Sequence, residues 1–185
     1  MDHKTLNYAL GRRELLKGAS LGILGLGLHQ LASDQVSGTP SAEDLLVYVG
    51  TYTSGKSEGI YLYRMNRSSG ELQHVATTKG VKDPSYLALG PRRRYLYAVN
   101  EVEEFAGKKS GALSAFAVDR QTGELRLLNQ QPSMGGAPCY VVVDQTGRFV
   151  LVANYTGGNV AVLALRRDGS LGQATDVKQD LGSSV

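Results

Sequence analysis

The sequence predicts an all-β protein, and specifically a β-propeller, from two observations. From residue 45 onward, short apolar runs are bounded by turn residues, and no helical period is sustained over ten residues. The runs also recur as a set. A unit of roughly fifty residues that holds four short strands is typical of a propeller blade. We therefore predict about three four-stranded blades.

The repeat is visible in two pairs of similar segments. "PSYLAL" at Pro84 and "PCYVVV" at Pro138 lie 54 residues apart, and so do "YLYAVN" at Tyr95 and "FVLVAN" at Phe149. The run "LLVYVGT" over residues 45–51 joins the second pair. The members of each pair are predicted to be equivalent strands of successive blades.

The strands of one blade are labelled A to D from the propeller axis outward, and they divide the chain into three blades. We predict strands B to D of blade 1 over residues 45–82, blade 2 over 83–134 and blade 3 over 135–182. Blade 1 lacks an A strand, and closed propellers have roughly four to eight blades. We therefore expect residues 45–185 to be a partial propeller, the N-terminal part of a longer protein.

The loops sort by composition onto two faces. Because neighbouring strands are antiparallel, A–B and C–D turns emerge on one face, and B–C and D–A loops emerge on the other. The first set consists of tight turns with glycine, typical of hairpins. The second set, which includes residues 100–111, 134–138 and 154–159, adds amides, phenols and a carboxylate. We predict that the second face binds a ligand.

The N-terminal residues differ in composition from the rest of the chain and are typical of a targeting signal. Arg12 and Arg13 precede Leu15, Leu16 and Lys17 and then a mildly apolar, glycine-rich stretch over residues 19–28. Residues 1–33 resemble a twin-arginine signal, which implies the export machinery as a partner and a periplasmic or extracellular location. The alternative is a frayed N-terminal helix in a cytoplasmic protein. The stretch is too short and glycine-rich for a stable membrane span, and residues 34–44 are predicted to be a linker.

Charge and composition exclude several function classes. Four of the 20 Lys and Arg residues and two of the 17 Asp and Glu residues precede Asp34, so the remaining chain is nearly neutral and no nucleic-acid partner is expected. The run Arg92–Arg93–Arg94 is predicted to be a solvated turn tip. Cys139 is the single cysteine and is expected to be a small core residue. Beyond the signal the one histidine is His74, so neither a metal site nor a cofactor is predicted.

Several motifs resemble one known family. "VYVGTYT" at Val47, "GIYLYRMNRSSGEL" at Gly59, "YLYAVNE" at Tyr95 and "DQTGRFVLVANYTGGNVAVL" at Asp144 are similar to the seven-bladed lactonase family, whose best-known type is the propeller 6-phosphogluconolactonase. The resemblance covers nearly all of residues 45–171. It implies a seven-bladed ring and hydrolysis of a sugar lactone to the aldonic acid.

The resemblance also implies roles for residues on the predicted binding face. Lactone hydrolysis needs an activated water, stabilisation of the oxyanion, and donors that hold the ring hydroxyls. Glu101 is the candidate general base. The candidate substrate-binding residues are Asn100, Asn154, Tyr155, Gly157 and Gly158.

Each assignment has a structural alternative, and two other functions remain open. Glu101 could be a solvated strand-end carboxylate, Asn154 a turn cap, and Tyr155 a packing ring between blades. The first open function is that of a muconate-type lactonizing cycloisomerase, a reaction that related propellers catalyse. A non-catalytic surface or scaffold propeller is the third reading. If residues 45–185 are only part of the protein, we expect this part to be inactive alone.

Overall fold

The computed structural model describes residues 44–182, and within them every regular element is a β-strand. The predicted signal over residues 1–33 and nearly all of the predicted linker over residues 34–44 lie outside the described residues. Three larger sheets and one small hairpin account for the strands. No segment among residues 44–182 is a helix with the length and apolar character needed to cross a bilayer.

The first sheet has three strands and the next two have four each, all antiparallel to their neighbours. The first sheet contains β1 (Asp44–Val49), β2 (Gly59–Asn66) and β3 (Leu72–Lys79). The second contains β4 (Leu87–Leu89), β5 (Tyr95–Asn100), β8 (Ala112–Val118) and β9 (Leu125–Pro132). The third contains β10 (Pro138–Val143), β11 (Phe149–Asn154), β12 (Asn159–Leu165) and β13 (Leu171–Gln179).

Each sheet follows chain order from one edge to the other, apart from the hairpin between β5 and β8. That hairpin pairs β6 (Glu104–Phe105) with β7 (Lys108–Lys109) and was not predicted from the sequence. Successive antiparallel strands joined by short turns form the up-and-down sheet of a propeller blade. The all-β, blade-like architecture expected from the sequence is therefore confirmed.

The two middle strands of the second sheet, β5 and β8, are buried on both faces, because alternate residues of a strand point to opposite sides. Along β5, Leu96 and Ala98 pack with the first sheet, in a cluster that also holds Ile60. Tyr97 and Val99 pack with the third sheet, in a cluster that also holds residues of β10 to β13. The sheets are thus stacked face to face through two continuous apolar layers.

A repeated tyrosine contact also joins successive sheets. The Tyr48 hydroxyl donates to the carbonyl of Gly123 at 2.6 Å, and the Tyr97 hydroxyl donates to the carbonyl of Gly169 at 3.0 Å. The two tyrosines are equivalent in the repeat, and each reaches the turn between the last two strands of the following sheet. This contact fixes one end of each sheet against the next.

The expectation that Cys139 lies in the core is wrong. Its side chain is exposed, and the register between β10 and β11 shifts between Pro138 and Tyr140. A bulge inserts an extra residue and changes the direction of the side chain there. Cys139 is the extra residue, so simple alternation along the strand does not predict where it points.

Candidate functional site

The loops after β5 and β11 lie on the same face and touch each other. The Thr156 hydroxyl is 3.0 Å from both carboxylate oxygens of Glu103. Between them runs the loop that leads into β10, in which the Ala137 N–H donates to the Val102 carbonyl at 3.0 Å, and the Ala137 carbonyl accepts from the Tyr155 N–H at 2.9 Å. The structure therefore gathers these polar loops at one rim, the candidate site.

Asn100 is a buried clamp at the end of β5. It is 2% exposed, its Nδ2 donates to the Lys82 carbonyl at 2.7 Å, and its Oδ1 accepts from the Ser114 hydroxyl at 2.6 Å. Gln130 Nε2 in turn donates to the Ser114 hydroxyl at 2.9 Å. The Asn100 side chain is thus occupied in holding the loop between the first and second sheets.

Asn154 holds the loop between the second and third sheets in the same way. It is 3% exposed, and its Nδ2 donates to the Ser133 carbonyl at 2.8 Å and to Asn159 Oδ1 at 2.6 Å. The Nδ2 of Asn159 donates to the Met134 carbonyl at 3.0 Å. Two asparagines at equivalent strand ends therefore hold the inter-sheet loops, while Asn154 Oδ1 has no hydrogen-bond partner among residues 44–182.

Gly157 and Gly158 shape the turn between β11 and β12. The Gly157 N–H donates to the Gly136 carbonyl at 3.2 Å, and the Gly158 N–H donates to the Tyr155 carbonyl at 3.3 Å. The carbonyls of both glycines accept from Gln179 Nε2, at 3.1 and 2.9 Å. Both amides are directed at carbonyls of the protein, so the turn conformation itself accounts for these residues.

Tyr155 presents its side chain to solvent on this face. It is 79% exposed, and its side chain makes no hydrogen bond or ring contact with another of residues 44–182. Only its backbone is fixed, through the bond from its N–H to Ala137. An exposed phenol ring held at its backbone can stack on the face of a sugar ring and donate from its hydroxyl.

Glu101 lies where three loops meet. Its N–H donates to the Asp83 carbonyl at 3.0 Å. Its Oε2 accepts from the Ser85 hydroxyl at 2.5 Å and from the Tyr52 hydroxyl at 2.9 Å. Tyr52, Ser85 and Glu101 are called the Glu101 cluster below. Oε1 of Glu101 accepts no hydrogen bond from any other described residue.

The loop that carries Tyr52 is tied to the loop that carries Ser85. Asp83 Oδ1 accepts from the Thr53 N–H at 2.7 Å and from the Thr53 hydroxyl at 3.2 Å. The Asp83 N–H donates back to the Thr53 hydroxyl oxygen at 3.1 Å. These bonds fix Tyr52 relative to Ser85, and charge-assisted bonds to a carboxylate are the stronger kind.

The hydrogen bond with Glu101 also changes the pKa of Tyr52. The hydrogen bond to the Glu101 carboxylate, with smaller effects of burial and of that negative charge, raises the pKa of Tyr52 above its ordinary value. A phenol with a raised pKa stays protonated to higher pH. Tyr52 therefore remains a donor to Oε2 throughout the neutral range, and Oε2 stays occupied.

Sequence reasoning missed Tyr52 and Ser85, although the repeat contained a signal for the tyrosine. In the alignment of the B strands, Tyr52, Glu101 and Tyr155 are equivalent, each following the last residue of the repeated run. Tyr52 stands within the quoted "VYVGTYT" motif and Ser85 within "PSYLAL". Their convergence depends on packing between two sheets, which the repeat alone does not give.

Comparison with known proteins identifies the family. A family model described as "Lactonase, 7-bladed beta-propeller" matches residues 46–185. The chain belongs to this seven-bladed β-propeller lactonase family. The family resemblance expected from the sequence is therefore confirmed.

The lactonase-family relatives include one curated protein and two solved structures. A 6-phosphogluconolactonase of Bacillus subtilis strain 168 is 37% identical over 124 residues, which are 67% of this chain and 34% of the relative. A putative 6-phosphogluconolactonase of Bacteroides fragilis NCTC 9343 is 41% identical, with a TM-score of 0.70 over 78% of this chain and 39% of the other. The periplasmic gluconolactonase of Pseudomonas aeruginosa is 34% identical, with a TM-score of 0.67 over 73% of this chain and 38% of the other.

The chain therefore spans between a third and two-fifths of the length of the lactonase-family relatives it matches. Residues 44–182 supply three neighbouring sheets and the loops at one rim of them. Within this part, the Glu101 cluster offers a carboxylate with one anchored oxygen and one oxygen without a protein partner. Such a group can accept a proton from a water molecule held against Oε1.

Proposed function

We propose that the protein is a sugar-lactone hydrolase in which Glu101 acts as the general base and Tyr155 contacts the sugar. The observation that carries the proposal is the arrangement at Glu101, where two hydroxyl donors hold Oε2 and leave Oε1 available. Membership of the lactonase family and the names of the relatives support the substrate class. The activity belongs to the whole protein, of which residues 44–182 supply part of the rim.

The proposed reaction begins with water activation. Oε1 of Glu101 takes a proton from a water molecule as the water oxygen attacks the lactone carbonyl carbon, giving a tetrahedral intermediate. The intermediate collapses with cleavage of the bond between the acyl carbon and the ring oxygen. The departing oxygen takes the proton from Glu101, so the product is the open-chain aldonic acid and the carboxylate is regenerated.

The other residues predicted from the sequence take supporting roles in this proposal. Asn100 and Asn154 position the loops that form the rim, because their amide groups bond to backbone carbonyls of those loops. Gly157 and Gly158 allow the turn after β11 to pack closely. Tyr155 is the residue of this group whose side chain is free to meet a substrate.

We further propose that the protein is exported and acts on a lactone without a phosphate. The support is the twin-arginine pattern near Arg12 and Arg13, together with the similarity to the periplasmic gluconolactonase of Pseudomonas aeruginosa. Phosphorylated sugar lactones are metabolites of the cytosol. We therefore expect gluconolactone to be hydrolysed faster than 6-phosphogluconolactone by this protein.

The test compares Glu101→Gln with Glu104→Gln in the full-length protein. Glu104 is an exposed glutamate three positions further along, paired opposite Lys109 in the β6–β7 hairpin, so its variant controls for the loss of one carboxylate. We expect Glu101→Gln to lower kcat for gluconolactone by roughly a hundredfold or more with little change in KM, since general-base catalysis contributes about 10²–10⁴-fold. We expect Glu104→Gln to keep at least half of the wild-type rate.

Two results would overturn the proposal. Equal rates for Glu101→Gln and the wild type would remove Glu101 from the mechanism. If the wild-type protein hydrolyses neither gluconolactone nor 6-phosphogluconolactone faster than the spontaneous rate, the scaffold or the cycloisomerase interpretation is favoured. Binding measurements and a muconolactone assay would then separate those two readings.

A further inference from the structure

A cleft of about 340 Å³ opens between the second and third sheets, on the face opposite the candidate site. Three turns border it: residues 90–94 between β4 and β5, residues 144–148 between β10 and β11, and residues 165–169 between β12 and β13. Every one of these turns lies within residues 44–182. The described lining of the cleft therefore comes from the second and third sheets alone.

The cleft is strongly basic. Five exposed arginines line it, and none of its described lining residues is Asp or Glu. The arginines are Arg92, Arg94, Arg148, Arg166 and Arg167. Among residues 44–182, none of the five lies within 4.0 Å of a carboxylate oxygen. We call this feature the arginine cleft.

Neighbouring carboxylates are directed at their own turns. Asp144 Oδ1 accepts from the N–H groups of Arg148 and Phe149, at 2.8 and 2.7 Å. Asp168 Oδ1 accepts from the N–H and the hydroxyl of Ser170, at 3.0 and 2.7 Å. Their hydrogen bonds shape the turns. The positive charge of Arg166 also helps to lower the pKa of Asp168, after the larger effect of the hydrogen bonds from Ser170, but no carboxylate of residues 44–182 lies within 4.0 Å of Arg92 or Arg167.

Several arginines are held in place by neighbouring groups. The Arg94 guanidinium carbon lies 5.6 Å from the centre of the Tyr95 ring, and that of Arg148 lies 5.4 Å from the Phe149 ring. Nη1 of Arg166 donates to the Leu171 carbonyl at 2.8 Å. Arg92 and Arg167 make no side-chain hydrogen bond or ion pair to another described residue, so their donors are available.

The floor of the cleft is rigid. Tyr97, which is 1% exposed, donates from its hydroxyl to the Gly169 carbonyl, and the Tyr95 ring packs directly against Gly169. Gly169 has φ +83°, and a Cβ there would collide with the Tyr95 ring. Preformed clefts on rigid elements lose little conformational entropy when a ligand binds.

We propose that the arginine cleft binds a phosphate group. Five arginines against the two carboxylates of the bordering turns, Asp144 and Asp168, leave the concavity with a net positive charge that attracts an anion. Arginine presents its donors in a planar fork that matches two phosphate oxygens at once. The volume admits a small phosphorylated molecule or the headgroup of a phospholipid, and the near neutrality of the remaining chain argues against nucleic acid. The proposal is independent of the lactonase reaction, because the cleft lies on the other face.

The test titrates the full-length protein with inorganic phosphate and with tripolyphosphate at low ionic strength, using isothermal calorimetry. The variant is Arg92→Gln with Arg167→Gln, chosen because neither side chain bonds to another described residue. The control is Arg120→Gln with Arg126→Gln, which removes the same charge from exposed arginines outside the cleft. We expect the Kd to rise at least roughly tenfold in the variant, as for loss of a charge-assisted hydrogen bond, and less than about twofold in the control.

A second measurement separates the two sources of phosphate. Sedimentation with phosphatidylglycerol vesicles is compared with the titration of the free anions. Binding to vesicles that is lost in the cleft variant assigns a lipid headgroup, and binding of free anions alone assigns a soluble phosphate compound.

Either of two results would overturn the proposal. One is that the wild-type protein binds none of the three probes, which are inorganic phosphate, tripolyphosphate and the phosphatidylglycerol vesicles. The other is an equal loss of binding in the cleft variant and the control variant, which would mean that only net charge matters. Thermal unfolding of both variants checks the fold, and Arg92→Gln alone replaces the double variant if that variant is unfolded.

Discussion

Asn100 and Asn154 show how one residue type can serve the fold and the site together. Both stand at the last position of the second strand in their sheets, both are buried, and both bond to a carbonyl of the preceding inter-sheet loop. The equivalent residue in the first sheet is Thr51, whose hydroxyl donates to the Gly59 carbonyl at 2.7 Å. In each sheet a short polar side chain at this position bonds to a backbone carbonyl, which for Thr51 is that of the first residue of β2 in its own sheet.

We predict that Asn100→Ala destabilises the full-length protein by about 2–3 kcal/mol. The substitution removes the hydrogen bond to the Lys82 carbonyl, which is worth about 1 kcal/mol, and the bond from Ser114. The buried Ser114 hydroxyl keeps the bond from Gln130 but loses the acceptor for its own proton, which costs about 1–3 kcal/mol. The measurement is the midpoint of denaturant unfolding. Gln121→Ala, at an exposed turn residue whose side chain makes no described hydrogen bond, is the control and should change stability by less than about 0.5 kcal/mol. Equal unfolding midpoints for Asn100→Ala and Gln121→Ala would contradict the stabilising role given to the Asn100 side chain.

The sequence predicted these asparagines as binding residues because it placed them correctly on the polar rim. It did not predict that the Nδ2 groups of both residues already donate to backbone carbonyls, since those carbonyls come from loops 18 and 21 residues earlier in the chain. Glu101 and Tyr155 were placed at the same rim by the same argument. Oε1 of Glu101 and the side chain of Tyr155 make no hydrogen bond with another described residue, so both residues stay in the proposed site.

At the scale of elements, the repeat predicted strands well and irregularities poorly. The runs YLYAVN and FVLVAN correspond to β5 (Tyr95–Asn100) and β11 (Phe149–Asn154) with the same bounds, whereas of PSYLAL only Leu87–Leu89 forms a strand, β4. The β6–β7 hairpin was missed because two-residue strands are too short to show alternation, and Phe105 is their one apolar residue. The bulge at Cys139 was missed because register depends on the partner strand.

The close packing of the turn at Gly157 makes a prediction at this scale. A Cβ on Gly157 would lie 2.8 Å from Gly135 Cα and 3.0 Å from Gly136 N, both of them backbone atoms. We predict that Gly157→Ala destabilises the protein by about 1–3 kcal/mol, the usual cost of overpacking. The measurement is again denaturant unfolding.

The matched control is Gly55→Ala. Gly55 lies in a turn where an added Cβ would have no neighbour within 4 Å, and its φ is not positive. We expect that variant to be neutral or more stable by up to about 1 kcal/mol, because alanine restricts the unfolded chain. Loss of stability of the same size in both variants would mean that the turns do not pack as described.

At the scale of the whole molecule, stacked sheets give the two ends of the structure different chemistry. One rim carries the Glu101 cluster, Tyr155 and the asparagine clamps, and the opposite rim carries the arginine cleft. The sequence predicted the first rim from loop composition. It predicted only a solvated tip at residues 92–94, because the packing of that turn beside the turns of the next sheet is a property of the assembled sheets.

The most direct test of the account is a crystal structure of the full-length protein with gluconate, the product of gluconolactone hydrolysis. We predict that gluconate binds at the rim formed by the loops after β5 and β11, with a hydroxyl group donating to Glu101 Oε1 at roughly 2.6–3.2 Å and the Tyr155 ring beside its carbon chain. Gluconate bound elsewhere, with Glu101 contacting only Tyr52 and Ser85, would contradict the central claim that this rim is the active site.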